Sequence, residues 1–258
     1  MLDICNIFLD ISNGIIPDLC SLTSHLSLMS DIYAAIFDMD GVLIDTYHAH
    51  YQSWLSMARR EGLTFTEAEF APTFGRTSRE IIAHFWGDGR YCDAEIAALD
   101  AQKETAFREI IAQDFPAMPG VYQLLADLKA AGWKLAIGSS GPPENVQMAL
   151  EHLGKHLFDA VVTGMDVTRG KPDPQVFLLC AERLSIPPRR CVVIEDAQPG
   201  IAAAQAAGMA AVGFVSTGRT REELAAADLL IASLAEISPQ VLRQLIDRHQ
   251  KKGRSGSA

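Results

Sequence analysis

Asp38 and Asp40 stand two residues apart at the end of an apolar run, Ala34-Ala35-Ile36-Phe37, and Gly41 follows them. Two carboxylates in that position can share one cation and one reacting group. One can attack as a nucleophile while the other moves a proton. In an open α/β sheet, ligands sit beyond the carboxyl ends of the strands, which is where this pair would lie. The pattern D-x-D-G alone also fits a calcium loop, or a loop-lining pair that caps the next segment. Three further blocks have the same character. Ser139-Ser140-Gly141 closes the apolar run Lys134–Gly138 and can offer hydroxyl and backbone N–H donors to a phosphate. Lys171 sits between Gly170 and Pro172-Asp173-Pro174 and is the only cation of the four blocks. It can offset the charge of Asp38 and a phosphoryl group, or be a solvated surface lysine. Glu195-Asp196 closes Cys191-Val192-Val193-Ile194, where two acids can hold a cation or cap a helix. Phosphoryl transfer needs a nucleophile, neutralisation of phosphate charge and a proton donor for the leaving oxygen, and these blocks contain all three.

In this order and spacing the four motifs resemble the haloacid dehalogenase superfamily of phosphoryl-transfer enzymes, from about Ala34 to about Leu245. Phe37-Asp38-Met39-Asp40-Gly41-Val42-Leu43 and Ile194-Glu195-Asp196-Ala197-Gln198-Pro199-Gly200-Ile201 look most like the β-phosphoglucomutase-like branch, which includes mutases and sugar-phosphate phosphatases. The resemblance implies Asp38 as the nucleophile that forms an aspartyl phosphate and Asp40 as the acid/base. It implies Ser139, Ser140 and Lys171 as phosphate ligands. It implies Mg²⁺ held by Asp38, Asp196 and the backbone carbonyl of Asp40, with Glu195 behind it or contacting it through water. An all-oxygen set with few carboxylates suits that ion. In the mutase branch, residues at the positions of His50 and Lys103 align the acid/base, and an arginine at that of Arg79 grips a remote phosphate. His48 competes locally with His50, and Arg79 can instead pair with Glu80 or solvent. His50 and Trp54, four apart, would share a helix face.

Asp40 argues against dehalogenases and phosphonate-cleaving relatives, which lack that acid. Where the mutase branch carries a loop with Lys and Asn, this chain has Gly141-Pro142-Pro143-Glu144-Asn145. The loop offers no cation, and Glu144 would repel a remote phosphate. The expectation is therefore a Mg²⁺-dependent phosphatase of a small phosphorylated metabolite. The alternatives are a sugar-phosphate mutase and a non-catalytic phosphometabolite-binding protein. The last would have lost the nucleophile or the lysine.

Something must hold these blocks together. From Val121 onward, apolar runs alternate with helical patterns. Strands are predicted at Lys134–Ser139, Asp159–Thr163, Cys191–Glu195, Ala210–Val215 and Leu229–Ala232. Helices are predicted at Val121–Ala131, Pro143–Leu153, Pro174–Leu184, Gly200–Ala207, Glu222–Ala227 and Pro239–Gln250. Single helices between strands imply a Rossmann-like α/β fold, a parallel sheet with helices on both faces. Residues 47–115 break the alternation. Helical patterns over Tyr47–Glu61, Thr66–Ala71, Arg79–Phe85 and Ala94–Ala112, with no strand, imply an all-helical cap inserted beside the first catalytic run. The predicted organisation is a core of residues 31–46 and 116–250, a cap of 47–115, an extension of 1–30 and a disordered tail of 251–258.

The chain has 258 residues, 48% of them apolar, enough for a sizeable core. A net charge of −10 argues against a nucleic-acid partner, because no basic patch would offset the repulsion. It does not argue against a phosphate in one cleft, where a cation inverts the local field. The cysteines Cys5, Cys20, Cys92, Cys180 and Cys191 show no C-x-x-C spacing, which points to a reduced cytoplasmic protein without a zinc site. The first thirty residues carry no basic stretch and no apolar run of spanning length, so neither a secretory signal nor a membrane partner is expected. The expected state is a monomer or weak dimer.

Overall fold

The computed structural model describes residues 32–255. The predicted extension 1–30 and the last three positions of the predicted tail lie outside them. Six strands form one parallel sheet in the order β3-β2-β1-β4-β5-β6: β1 (Ala34–Phe37), β2 (Lys134–Gly138), β3 (Ala160–Val162), β4 (Cys191–Glu195), β5 (Ala210–Phe214) and β6 (Leu229–Ile231). The order runs outward in both directions from β1. The crevice between the C-terminal ends of β1 and β4 is therefore the place where the connections diverge to opposite sides, which is where such sheets bind ligands.

Side chains alternate between faces along β1. Ala35 and Phe37 join the cluster formed with α5 (Val121–Ala130), α6 (Pro143–Leu153) and α9 (Pro239–Ser255), while Ala34 and Ile36 join that formed with α7 (Gln175–Leu184) and α8 (Gln198–Ala206). Ile36 and Phe37 are fully buried, each stabilising the fold by roughly 1.5–3 kcal/mol. A one-residue slip would exchange the two faces. That fixed register determines where Asp38 emerges.

Between β1 and α5 the chain inserts four α-helices: α1 (Tyr47–Arg60), α2 (Glu67–Phe70), α3 (Ser78–Trp86) and α4 (Asp93–Gln113). They contain no strand and bury their own cluster, which includes Trp54, Leu55, Phe70, Ile81 and Trp86. Two of the helix starts are written in the sequence as T-x-x-E. Thr66 and Glu69, and Thr77 and Glu80, form reciprocal capping boxes. The two connections of this insert run side by side: the Asp45 N–H donates to the Pro116 carbonyl at 2.8 Å.

Two elements differ from expectation. Residues 222–227 form successive tight turns rather than a helix, with Ala225 and Ala227 bonding three residues back. The stretch is short and must deliver Asp228 to the Ala211 carbonyl to begin β6, so the sheet edge prevails over alanine's helix propensity. The last helix continues past Gln250 to Ser255, so residues 251–255 of the predicted disordered tail are helical. Lysine and arginine are good helix formers and suit the negative end of a helix.

Candidate active site

Asp38 follows β1 directly, and its N–H continues the ladder to the Ile194 carbonyl at 3.0 Å. Glu195 ends the neighbouring strand, and Asp196 follows. One carboxylate oxygen from each of Asp38, Glu195 and Asp196 lies within 4.8 Å of the others. Lys171, from the turn before α7, places Nζ 2.6 Å from Asp38 Oδ1 and 2.7 Å from Glu195 Oε1. Glu195 Oε2 accepts the Ala197 N–H at 2.8 Å, so each of its oxygens has one partner within the protein and keeps further acceptor capacity.

The electrostatics follow from burial. Asp38 is pushed well above the usual carboxylate range, chiefly by desolvation; Lys171 opposes this, and Glu195, Asp196 and Asp40 add repulsion. Asp196 is raised to about 6, again chiefly by desolvation, with Arg219 pulling it back and Glu195 adding to the rise. Lys171 is held above its ordinary value: burial works against its charge, but the carboxylates of Asp38 and Glu195 outweigh that. Lys171→Ala would leave two buried carboxylates facing each other. Removing one partner of a buried pair typically costs about 3–5 kcal/mol, and a fall of that size in unfolding free energy is the expected result by denaturant titration. An unchanged midpoint would show that water replaces the ammonium.

Two glycines make room for the acids. Gly41 has φ +75°, and a Cβ there would lie 2.2 Å from Asp196 Oδ2. A Cβ on Gly200 would lie 1.7 Å from Glu195 Oε1.

Asp40 turns toward the insert. His50 Nε2 stands 3.5 Å from Asp40 Oδ1, a long contact that leaves this buried oxygen without a close hydrogen bond. Burial alone would raise Asp40. The neighbouring His50, Thr46 and Lys103 outweigh it and hold the carboxyl below its usual range. His50 is itself lowered, first by burial and then by Lys103. Lys103, 3% exposed, donates from Nζ to His50 Nδ1 at 2.8 Å. Its ammonium lies over the rings of Trp54 and Phe107. His48, the local competitor, is exposed.

Over these groups lies a cavity of about 490 Å³, walled on the sheet side by Asp38, Asp40, Lys171 and Asp196 and on the insert side by His50, Trp54, Phe74, Arg76 and Lys103. His50 and Trp54 do share this face. Ser140 and Gly141 reach the cavity wall; Ser139 is 1% exposed beneath them, its hydroxyl accepting the Gly141 N–H at 2.9 Å. Arg79 lies away from this cavity. Its guanidinium pairs with Asp93 at 2.6 Å on the surface, because Glu80, the partner weighed from sequence, is spent on the Thr77 cap. Arg76, three residues earlier, borders the cavity, as does Arg219 from the sheet side. Glu144 is exposed and does not line it, so its charge does not face a ligand there.

Sequence reasoning missed Arg219. From the turn after β5, its Nε donates to Asp196 Oδ2 at 3.0 Å, joined by the Ser216 hydroxyl at 3.2 Å. The same guanidinium donates to the Phe74 carbonyl at 3.3 Å and covers the Phe74 ring. It thus ties a metal-type carboxylate to the insert. Nothing in its local sequence separates it from the chain's other arginines.

A nucleophile-type carboxylate, a buried lysine and an acid pair on adjacent parallel strands, under a helical insert, define a hydrolase of the phosphoryl-transfer type. The family model of haloacid dehalogenase-like hydrolases matches residues 32–208, and the chain belongs to that family. It is 34% identical over 213 residues to validoxylamine A 7'-phosphate phosphatase of Streptomyces hygroscopicus subsp. limoneus, covering 79% of this chain and 94% of that one. It is 37% identical over 191 residues to the fructose-1-phosphate phosphatase YqaB of Escherichia coli, covering 71% and 97%. Among solved structures, β-phosphoglucomutase of Clostridium difficile superposes with a TM-score of 0.73 at 28% identity, covering 84% of this chain and 98% of that one. Among the described residues no helix is long and apolar enough to cross a membrane.

Proposed function

We propose that the chain is a Mg²⁺-dependent phosphatase of a small phosphate monoester, a sugar phosphate or similar metabolite, working through an aspartyl phosphate on Asp38. The observation that supports this best is the convergence of Asp38, Lys171 and Asp40 at one cavity mouth. An oxygen of Asp38 attacks phosphorus, and the bond to the leaving oxygen breaks. Asp40 gives that oxygen its proton. The Asp40 carboxyl rests below its usual range, and a phosphate arriving beside it raises it, since a like charge disfavours ionisation. Asp40 then takes a proton from the water that attacks the acyl phosphate, and Asp38 is regenerated. Lys171 stays between Asp38 and Glu195 and offsets the charge of the transferring group.

The donor set fits Mg²⁺: oxygen only, buried, with two carboxyls that repel each other in the absence of a cation. Asp38, Asp196 and the Asp40 carbonyl would hold the ion, and Glu195, paired with Lys171, would stand behind it or contact it through water. Bound there, the ion would neutralise phosphate charge and orient the ester. Residues 47–115 act as a cap over the cleft, and residues 31–46 and 116–250 as the catalytic core.

Hydrolysis is favoured over mutase chemistry because the loop after Ser140 contributes only Gly141 and Pro142 to the cavity, neither of them a cation. The deciding experiment supplies β-glucose 1-phosphate and a panel of sugar phosphates with Mg²⁺, with and without a bisphosphate activator. Phosphate release exceeding isomerisation is the expected result. Isomerisation far above release would make the protein a mutase.

A further inference from the structure

The contacts that lead from Asp40 through His50 do not end at Lys103. Lys103 Nζ donates also to Glu104 Oε1 at 2.7 Å, and the other carboxylate oxygen, Oε2, accepts from Asn145 Nδ2 at 2.7 Å. Asn145 is 2% exposed, and its Oδ1 accepts from Arg108 Nη1 at 3.0 Å. A guanidinium has no acceptor and a carboxylate no donor, so the amide can face only this way. Glu104 and Arg108 stand on α4, in the insert. Asn145 stands in the first turn of α6, in the core. Asp40 is also in the core. The chain of contacts therefore starts on the core, passes through His50, Lys103 and Glu104 of the insert, and returns to the core at Asn145.

We propose that Glu104 and Asn145 are positioning residues which make the alignment of Asp40 depend on docking of the inserted helices against α6. The chemistry of each link supports this. An ammonium carries only donors, so His50 Nδ1 must accept from Lys103, and the ring proton resides on Nε2, the nitrogen that faces Asp40. Lys103 is buried and carries its charge against Glu104. Were that carboxylate free to swing, the ammonium would follow it or lose its partner, and His50 would lose the bond that fixes its tautomer. Asn145 holds Glu104 in place, and Arg108 holds Asn145. Phe107 stacks on the His50 ring with centroids 4.2 Å apart, so the histidine moves with α4. Separation of α4 from α6 breaks the Asn145–Glu104 bond and carries His50 away from Asp40 in the same motion. With the cap apart, Asp40 has no aligned partner, which restrains proton transfer to bulk water.

This inference rests on the phosphatase reading for its kinetic arm but has an arm of its own. In the full-length, metal-free protein, ¹⁵N chemical shifts of the His50 ring should report a single Nε2–H tautomer. In Asn145→Ala they should report a tautomer mixture. On whichever phosphate ester the wild type turns over, Asn145→Ala should lower kcat roughly 10–100-fold, the range expected when a supporting contact of a reacting group is lost, and change KM less than about threefold. In a His50→Ala background the same substitution should cost less than about twofold, because the link it acts through is gone. Asn145→Asp sets a carboxylate against Glu104 and should match the alanine variant. An unchanged His50 tautomer in Asn145→Ala, or an equal loss of kcat with and without His50, overturns the proposal. Absence of phosphate release from every ester by the wild type would overturn the phosphatase reading instead, and the tautomer measurement would still decide this one.

Discussion

Asp38→Asn is expected to give a folded protein whose phosphate release falls by about four orders of magnitude or more, the scale seen when a covalent nucleophile is removed. The amide is nearly isosteric but cannot attack phosphorus. Stability should hold. Asp38 is a buried carboxylate repelled by Glu195, Asp196 and Asp40, so its ionised form is costly in the absence of a cation. Neutralising it relieves that repulsion, while Lys171 keeps Glu195 as its partner at 2.7 Å. Thermal unfolding and a discontinuous phosphate assay on the same preparation separate the two effects. A midpoint within a few degrees of wild type together with activity above one per cent would sink the aspartyl-phosphate mechanism.

Asp196→Asn should act on the metal before it acts on the fold. Arg219 and Ser216 both donate to Oδ2, which leaves the other oxygen for an ion. Groups that only support a metal ligand typically alter affinity by 10–100-fold, so loss of a ligand itself should raise the Mg²⁺ requirement by about 100-fold or more. Calorimetric titration of the metal-free protein with Mg²⁺ reads the affinity without turnover, and phosphate release against Mg²⁺ concentration reads its consequence. Wild-type activity should vanish in excess chelator and return with Mg²⁺. Undiminished turnover in chelator would remove the metal from the reaction.

The blocks that build the candidate site were legible because each is local. A strand that must bury both faces is written as an unbroken apolar run, and the polar residue that ends it is the one delivered to the crevice. Ala34–Phe37 followed by Asp38, and Cys191–Ile194 followed by Glu195, are such cases. The parallel sheet and the helical insert were legible for the same reason, as the period of the apolar residues changes at Tyr47 and again after Pro119. Turn and helix ends were less so. Residues 222–227 carry helical composition, yet the geometry of the sheet edge makes them turns.

The insert side of the candidate site was read through resemblance and only partly from residues. Lys103 lies 53 positions from His50, and no spacing rule joins them; burial beside Phe107 and Trp54 does. Arg79 was named where Arg76 borders the cavity, because one turn of helix α3 and its T-x-x-E cap send Arg79 outward to Asp93. Glu144 was given a charge effect that its exposed place in the first turn of α6 does not allow.

The amino-acid sequence by itself determined which groups are available for the proposed chemistry, Asp38, Asp40, Lys171, Glu195 and Asp196, and the sheet that must carry them, since short-range apolar periodicity encodes both. Only the tertiary structure decided how those groups are paired: Lys171 between Asp38 and Glu195, Arg219 on Asp196, and Asn145 on Glu104. Such pairings join residues far apart in the chain. They are selected by the free-energy cost of leaving a buried charge or amide without a partner, which is a property of the packed interior and has no local signature.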